Sequence, residues 1–318
     1  MIIQESLSWA IKTLHTNSSS PALDAEVLLC HVRKCDKTYL YANPHKKISK
    51  LQTTHYQLLI RKRARHWPIA YLTGHKEFFG LDFVVTPDVL IPRPETELLV
   101  ELALEILKAK SYNLKAVIDL GTGSGNIIIS LGVIARGLRR SNLKFFATDS
   151  SPKALRIAKL NARRHGVAKK IKFLRGNLLS PLLKTESYKL KPNTLILANL
   201  PYLTPARYSS NPDLKYEPKF ALVEVHDGLK HFLKLFQQLS RHCEESALDG
   251  RRSNPREIAT LRPRVGARND TYNITLILEH DSSQKPLLAK LAKKYFPHSQ
   301  VVFYKDLAGR WRVMKIKI

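Results

Sequence analysis

The stretch Ala116-Val117-Ile118-Asp119-Leu120-Gly121-Thr122-Gly123-Ser124-Gly125 decides the fold that we predict for this chain. Its first half is an apolar run, which predicts a buried strand over residues 116–120. Its second half is a glycine-rich loop, and a helical pattern follows to about residue 136. Glycines let a backbone pass close beneath a ligand, and the first turn of a helix has free N–H groups. We therefore expect a ligand site where this strand ends.

The spacing of the glycines narrows the choice of ligand. It reads G-x-G-x-G rather than the G-x-G-x-x-G of dinucleotide-binding proteins, and no Lys-Ser/Thr pair follows it as in a P-loop. A second predicted strand ends at Asp149, whose carboxylate can accept both hydroxyl groups of a ribose. Alternatively, Asp149 only supports the turn into a helix that begins at Ser150-Ser151-Pro152. The glycine-rich loop before it favours ribose binding.

Strands and helices alternate from residue 115 onward, which is the signature of a parallel sheet. We predict strands at residues 116–120, 143–148, 171–174, 194–198, 273–279, 300–304 and 311–317. The third strand leads into Gly176-Asn177-Leu178, which we interpret as a contact on the adenine side of a nucleoside ligand. Open α/β sheets bind ligands at the carboxyl ends of their strands, so these loops should form one site. This order is typical of a methyltransferase that uses S-adenosylmethionine.

The four residues Asn199-Leu200-Pro201-Tyr202 follow the fourth predicted strand. They suit a planar, weakly nucleophilic nitrogen, because the carbonyl of Asn can accept one N–H and a neighbouring backbone carbonyl can accept the other. The ring of Tyr offers a flat face for stacking on such a group. The plainer alternative is a strand end followed by a Pro-Tyr turn.

The first 92 residues lack this alternation. Residues 1–66 read as a small helical recognition domain, with helices at about 6–15, 22–32 and 49–66. Residues 67–92 contain Pro68 to Gly74 and then Glu77 to Val85, and their glycine-punctuated alternation predicts a β-hairpin. The run Ile91-Pro92-Arg93-Pro94-Glu95-Thr96-Glu97 then opens a helix to about residue 110. This run is either a rigid linker or a wall of the active site.

Residues 242–271 interrupt the pattern of the second part of the chain. They contain no Lys and no aromatic residue, although the chain as a whole is rich in Lys. Such a composition cannot bury a core and predicts an inserted, mostly disordered loop. Its several Arg residues leave an RNA contact as the alternative interpretation.

The composition limits the class of protein. A formal charge of +27 suggests acidic partners, but the excess is spread along the chain, so a general Lys bias explains it about as well. The three cysteines match neither disulfide nor zinc spacing, and we expect reduced thiols and no metal. Because there is no apolar signal core and no apolar run long enough to cross a membrane, we expect a cytoplasmic protein.

These motifs, in this order, resemble those of the peptide chain release factor glutamine N5-methyltransferases (PrmC/HemK). The resemblance covers nearly the whole chain except residues 242–271, and its most specific parts are the hairpin segment and I-P-R-P-E-T-E. It implies an α/β fold class, with a seven-stranded class I methyltransferase (Rossmann-like) domain at 93–318. A small helical domain (1–66) and a β-hairpin (67–92) would precede that domain.

The resemblance also implies an S-adenosyl-L-methionine cofactor and, as substrate, the Gln of the Gly-Gly-Gln loop of release factors. It assigns cofactor contacts to Gly121, Thr122, Gly123, Ser124, Gly125, Asp149, Asn177, Leu178 and Asn199. It assigns substrate contacts to Asn199, Leu200, Pro201 and Tyr202, of which Asn199, Pro201 and Tyr202 would be catalytic. The chain departs from the family pattern at Leu200 (usually Pro), at Asn177 (often Asp), and at Glu279-His280-Asp281, where a Gly is usual.

Two other functions fit part of this pattern. An adenine-N6 methyltransferase acting on RNA or DNA would suit N-L-P-Y and the basic charge, but the hairpin and I-P-R-P-E-T-E favour a protein substrate. A catalytically degenerate protein that binds release factors would account for residues 242–271 and for the altered Glu279 region. Direct binding of nucleic acid is therefore the less favoured prediction.

Overall fold

A bundle of four helices forms the first part of the chain. The computed structural model describes residues 1–109, 113–138, 142–183, 190, 192–224, 228–252 and 273–318, with the backbone alone at 244–252. The bundle comprises α1 (Ile3–Leu14), α2 (Pro21–Arg33), α3 (Lys37–Ala42) and α4 (Lys50–Arg63). The sequence predicted α1, α2 and α4 but missed the short α3, whose Asp36 caps the helix by accepting the Tyr39 N–H at 2.8 Å.

A fifth helix and a hairpin follow, and here the prediction was partly wrong. Residues after Pro68 form α5 (Ile69–Thr73) instead of a hairpin arm, because Pro68 supports a helix start and Gly74 ends the helix at φ +78°. The hairpin is β1 (His75–Phe78) paired antiparallel with β2 (Leu81–Val84). The domain boundaries at 66 and 92 remain a prediction.

The second part of the chain is built around a seven-stranded sheet. Its strands are β3 (Ala116–Leu120), β4 (Lys144–Asp149), β5 (Ile171–Arg175), β6 (Thr194–Asn199), β7 (Ile274–Glu279), β8 (Gln300–Lys305) and β9 (Trp311–Lys317). Their order in the sheet is β5-β4-β3-β6-β7-β9-β8, with β9 antiparallel to both of its neighbours. All seven predicted strands are therefore found in one sheet.

The topology places the predicted site at one edge of this sheet. The chain winds outward from β3 through β4 to β5, then returns to the other side of β3 as β6. Strand order thus reverses between β3 and β6, and such switch points open the ligand crevice in α/β sheets. The ends of β3, β6 and β7 are aligned there, because Leu120 pairs with Ala198 and Asn199 pairs with Glu279.

Helices cover both faces of the sheet. They are α6 (Glu97–Lys108), α7 (Asn126–Ile134), α8 (Pro152–Arg164), α9 (Ser180–Leu183), α12 (Lys230–Arg252) and α13 (Lys285–Tyr295), while the short α10 (Pro205–Ser209) and α11 (Lys219–Leu222) follow β6 in the chain. Alternate residues of β3 face two different apolar clusters, since Val117 packs with α6 and α7 while Ile118 packs with α12 and α13. This two-sided burial explains why the strand reads as an uninterrupted apolar run.

The predicted insert at 242–271 needs a correction at its beginning. Helix α12 continues past residue 242 to Arg252, because Glu, Ala and Leu after Cys243 favour a helix although they could not build a core. The rest of the predicted insert, residues 253–271, lies outside the described residues.

The end of α4 and the residues just after it contact a segment of the second part of the chain that follows Tyr202 in sequence. Trp67 stacks on Tyr216 with ring centroids 4.5 Å apart, and Arg63 and His66 lie 3.6 and 3.2 Å from a carboxylate oxygen of Asp213. Within the described part of the chain, no helix combines the length and apolar character that a membrane crossing requires.

Candidate active site

An open cleft lies at the switch point between β3 and β6, where α/β sheets bind their ligands. Eight of the residues predicted for the site line it, namely Gly121, Gly123, Asp149, Asn177, Leu178, Asn199, Leu200 and Pro201. Among the described residues, the predicted Thr122, Ser124, Gly125 and Tyr202 lie outside this lining. The structure therefore brings eight predicted residues together at the cleft, whereas the other four lie outside the lining.

The glycine loop owes its shape to backbone conformations that side chains rarely allow. Gly121, Gly123 and Gly125 have φ values of +68°, +54° and +83°. A Cβ on Gly125 would lie 2.6 Å from Ile129 Cδ1 and 3.3 Å from Ala158 Cβ. Gly125 thus permits α7 and α8 to pack together, whereas Gly121 and Gly123 form the floor of the cleft.

A buried acid that the sequence prediction passed over lies directly beneath the loop. The hydroxyl of Thr122 donates to Asp119 Oδ2 at 2.6 Å, and Asp119 is fully buried. Burial raises the pKa of Asp119 to about 7, the nearby charge of Asp149 adds to this, and the Thr122 hydroxyl opposes it. Its other oxygen, Oδ1, has no hydrogen-bond partner among the described residues. The position of this acid just before the first glycine was the available signal.

Asp149 supports both interpretations that the sequence left open. Its two oxygens accept the Gly123 N–H at 3.0 Å and the Ser151 N–H at 2.8 Å, so the side chain does hold the loop and the helix start. Each carboxylate oxygen has a further lone pair, and Asp149 also lines the cleft. Burial raises its pKa, while these backbone N–H groups oppose the rise. Ribose binding remains a prediction.

The loop after β5 brings Asn177 and Leu178 to the cleft. Leu178 has φ +53°, and its carbonyl accepts the Thr148 hydroxyl at 3.0 Å, which fixes this loop against the end of β4. The neighbouring Gly176 is required by packing, since a Cβ there would lie 2.5 Å from Pro181 Cγ. The predicted adenine contact at Asn177 is placed consistently with this geometry, but it stays a prediction.

The N-L-P-Y residues point in different directions. Leu200 is buried in the apolar cluster beneath the cleft, while Pro201 is half-buried at its wall. The amide nitrogen of Asn199 donates to Thr96 Oγ1 at 3.0 Å. The hydroxyl of Tyr202 donates to Glu279 Oε1 at 3.1 Å, so this side chain is held at β7 behind the cleft wall. Burial and then the charge of Glu279 raise the pKa of Tyr202.

The I-P-R-P-E-T-E run lies next to the cleft but contributes no residue to its lining, so both interpretations of the run stay predictions. Residues just before it, 88–90, line the cleft. Glu217 fixes the run by accepting the Ile91 N–H at 3.2 Å and by forming an ion pair with Arg93. At its other end, the buried Thr96 reaches Asn199. The cleft also includes Phe220, Ala221 and His231, which no motif had indicated.

The residues that line the cleft fit S-adenosylmethionine. Glycines leave the floor free of side chains, and Asp149 retains acceptor capacity. Among the described residues, no group of three or more His, Cys, Asp or Glu side chains could hold a metal ion.

Comparisons with known proteins define the class. Family models described as "PrmC N-terminal domain" and "Methyltransferase domain" match residues 5–74 and 112–245. The N-terminal domain of human METTL16 in complex with SAH aligns with 75% of this chain and 76% of that chain, at 18% identity and a TM-score of 0.43. The family models and the seven-stranded sheet identify a class I methyltransferase that depends on S-adenosylmethionine, as predicted.

Two relatives narrow this class further. The release factor glutamine methyltransferase of Bacillus anthracis is 35% identical over 100% of both chains. That of Nitratidesulfovibrio vulgaris is 38% identical over 70% of this chain and 72% of its own. The chain belongs to the release factor glutamine methyltransferase family.

Proposed function

We propose that the protein methylates the side-chain amide nitrogen of the Gln in the Gly-Gly-Gln motif of peptide chain release factors, in the cytoplasm and in support of translation termination. Family membership supports this substrate class. The observation that carries it at the site is the hydrogen bond from the Asn199 amide nitrogen to Thr96. It engages the amide nitrogen and leaves the side-chain oxygen of Asn199 as an acceptor for an N–H of a substrate.

The substrate nitrogen is held by acceptors. Asn199 accepts one N–H of the substrate amide, and the backbone carbonyl of Leu200 accepts the other. Leu200 is held extended because Pro201 follows it, which directs this carbonyl. Pro201 closes the pocket beside the amide, since it lies in the cleft wall. Tyr202 contributes by packing and by its bond to Glu279.

The reaction requires alignment more than base catalysis. The cofactor supplies a methyl group that is already activated by its positive sulfur. The amide nitrogen therefore needs no prior deprotonation and loses its proton after transfer. Positioning of the reacting atoms is worth up to about 7–11 kcal/mol in well-oriented systems. Acceptors at Asn199 and Leu200 add a modest electrostatic stabilisation as the nitrogen becomes positive.

A second substrate class would use the same acceptors. The exocyclic amine of adenine is also planar, and the formal charge of +27 favours a nucleic-acid partner. The two classes are separated by incubating the protein with radiolabelled S-adenosylmethionine, together with either a release factor or ribosomal RNA. Label in the release factor supports the proposal, and label in the RNA alone contradicts it. Saturable cofactor binding without transfer to either would indicate a degenerate, binding-only protein.

A further inference from the structure

A buried hydrogen-bonded chain runs behind the wall of the cleft. The amide nitrogen of Asn199 donates to Thr96 Oγ1 at 3.0 Å, and the Thr96 hydroxyl donates to Glu279 Oε2 at 2.7 Å. Tyr202 donates to the other oxygen of Glu279 at 3.1 Å. Thr96 and Glu279 are each 1% exposed, so water does not compete for these bonds. The chain links the I-P-R-P-E-T-E run, the end of β6 and the end of β7.

We propose that Thr96 and Glu279 are positioning residues that fix the direction of the Asn199 side-chain amide, so that its carbonyl faces the substrate. The proposal rests on the proposed function in one respect, that Asn199 accepts an N–H of the substrate. It adds two residues that contact neither the cofactor nor the substrate.

The direction follows from the number of protons in the chain. The hydroxyl of Thr96 gives its single proton to Glu279 Oε2, which accepts it at 2.7 Å. Thr96 can then offer only a lone pair to Asn199. The amide nitrogen of Asn199 must occupy that position, and its oxygen must point the other way. A donor in place of the Glu279 carboxylate would reverse the Thr96 hydroxyl and, with it, the amide.

Both oxygens of Glu279 accept a hydrogen bond, and charged groups lie nearby. Burial raises the pKa of Glu279, and the charge of Glu95 acts in the same direction. The hydrogen bonds from Thr96 and Tyr202 and the positive charge of Arg312 oppose that rise. Arg312 is itself held at 3.2 Å from Asp306 Oδ2, which keeps a cation beside the buried carboxylate. The carboxylate is thus satisfied on both oxygens, as a buried acceptor must be.

The test compares three variants with the parent enzyme in methyl transfer to a release factor. Thr96→Val has nearly the same shape but no hydroxyl, and Thr96→Ser keeps the hydroxyl. Glu279→Gln keeps the shape but replaces one of the two acceptor oxygens, which serve Thr96 and Tyr202, by an N–H donor. We expect kcat to fall at least about tenfold in Thr96→Val and Glu279→Gln, by analogy with the loss of other oriented polar groups. Thr96→Ser should stay within about threefold of the parent.

Further measurements distinguish positioning from a purely structural role. The Kd for S-adenosylmethionine, measured by calorimetry, should stay within about threefold of the parent in all variants that keep the parent's Tm to within a few degrees. In the Thr96→Val background, Glu279→Gln should lower kcat no further, because residues in one network are not additive. If Thr96→Val does not fold, kcat and Kd are compared between Glu279→Gln, which changes the network, and Thr96→Ser, which keeps it.

Two results would overturn the inference. One is a folded Thr96→Val or Glu279→Gln enzyme with kcat within twofold of the parent, while Asn199→Ala is inactive. The other is a double variant whose kcat falls by the product of the factors measured for Thr96→Val and Glu279→Gln alone. A parent enzyme that transfers no methyl group to release factors would instead contradict the proposed function, so the two failures are distinguishable.

Discussion

Asn161 and Val84 form a pair of hydrogen bonds that imitates a strand pairing. The side-chain oxygen of Asn161 accepts the Val84 N–H at 2.9 Å, and its amide donates to the Val84 carbonyl at 3.0 Å. The same amide donates to the carbonyl of Ser124 at 2.9 Å. One buried side chain on α8 therefore ties the hairpin to the glycine loop.

This relationship predicts that Asn161→Ala destabilises the protein. Three hydrogen bonds are lost, and the part-buried backbone groups of Val84 and the buried carbonyl of Ser124 lose their partner, which should cost about 2–4 kcal/mol. Urea denaturation gives the free energy of unfolding, and Lys159→Ala, at an exposed position on the same helix, serves as the control. A loss below about 1 kcal/mol would mean that the hairpin is held elsewhere.

The buried Asp119 predicts a specific pH dependence of stability. Its pKa rises from 3.8 to about 7 on folding, so the folded state binds this proton more tightly than the unfolded state. The stabilisation is complete below about pH 4 and is lost as pH rises through about 7. At about 1.36 kcal/mol for each pKa unit, the loss is roughly 4 kcal/mol.

Asp119→Asn should remove this loss because it cannot ionise. The free energy of unfolding of the variant, relative to the parent, should therefore rise by about 3 kcal/mol between pH 4.5 and pH 8. Urea titrations at these two pH values provide the measurement. Parallel pH dependence in the two proteins would show that Asp119 does not carry the shifted proton.

The position of Asp149 in the cleft lining predicts that its carboxylate contributes to cofactor binding. Asp149→Asn removes one carboxylate oxygen and the charge, and hydrogen bonds to charged groups contribute about 1.5–3 kcal/mol each. We expect the Kd for S-adenosylmethionine to rise at least about tenfold in calorimetry. Ser151→Ala is the matched control, because it removes only the helix cap to the Ala154 N–H at 3.2 Å. Unchanged affinity in Asp149→Asn would leave Asp149 as a turn residue.

Leu200 and Pro201 are predicted to differ in their effect on turnover. Leu200→Pro restores the usual family residue and keeps the backbone extended, so kcat should stay within a few-fold of the parent. The lost packing of this buried side chain should appear as reduced stability, of about 1–3 kcal/mol. Pro201→Ala should lower kcat more, since it frees its own φ and the ψ of Leu200. The opposite ranking in steady-state kinetics would show that Pro201 does not direct the Leu200 carbonyl.

Most of the sheet could be predicted from the sequence because β3, β4, β6 and β7 are buried on both faces. The predicted strand at 194–198 is observed as Thr194–Asn199, and the strand at 311–317 is observed with those bounds. Short helices were harder, because α3 and α5 owe their ends to single residues such as Asp36 and Gly74. The end of α12 was missed because the composition of residues 242–271 shows that they cannot build a core, but it does not show that they cannot form a helix.

The sequence predicts those site residues whose place follows from the strand that precedes them. The glycine loop, Asp149 and Asn177 meet at one cleft because they follow neighbouring parallel strands. The contact between Thr96 and Glu279 joins residues 183 positions apart, and no local pattern indicates such a contact. The direction of Tyr202 was missed for the same reason, since Glu279 determines it.

Mass spectrometry of a release factor, after incubation with the enzyme and S-adenosylmethionine, tests the proposed reaction on its substrate. We expect one added methyl group on the side-chain nitrogen of the Gln in Gly-Gly-Gln. Asn199→Ala should give no such methylation, and the control Lys159→Ala should methylate normally. An unmodified Gln with the parent enzyme, or a methyl group found on nucleic-acid adenine instead, would contradict the account.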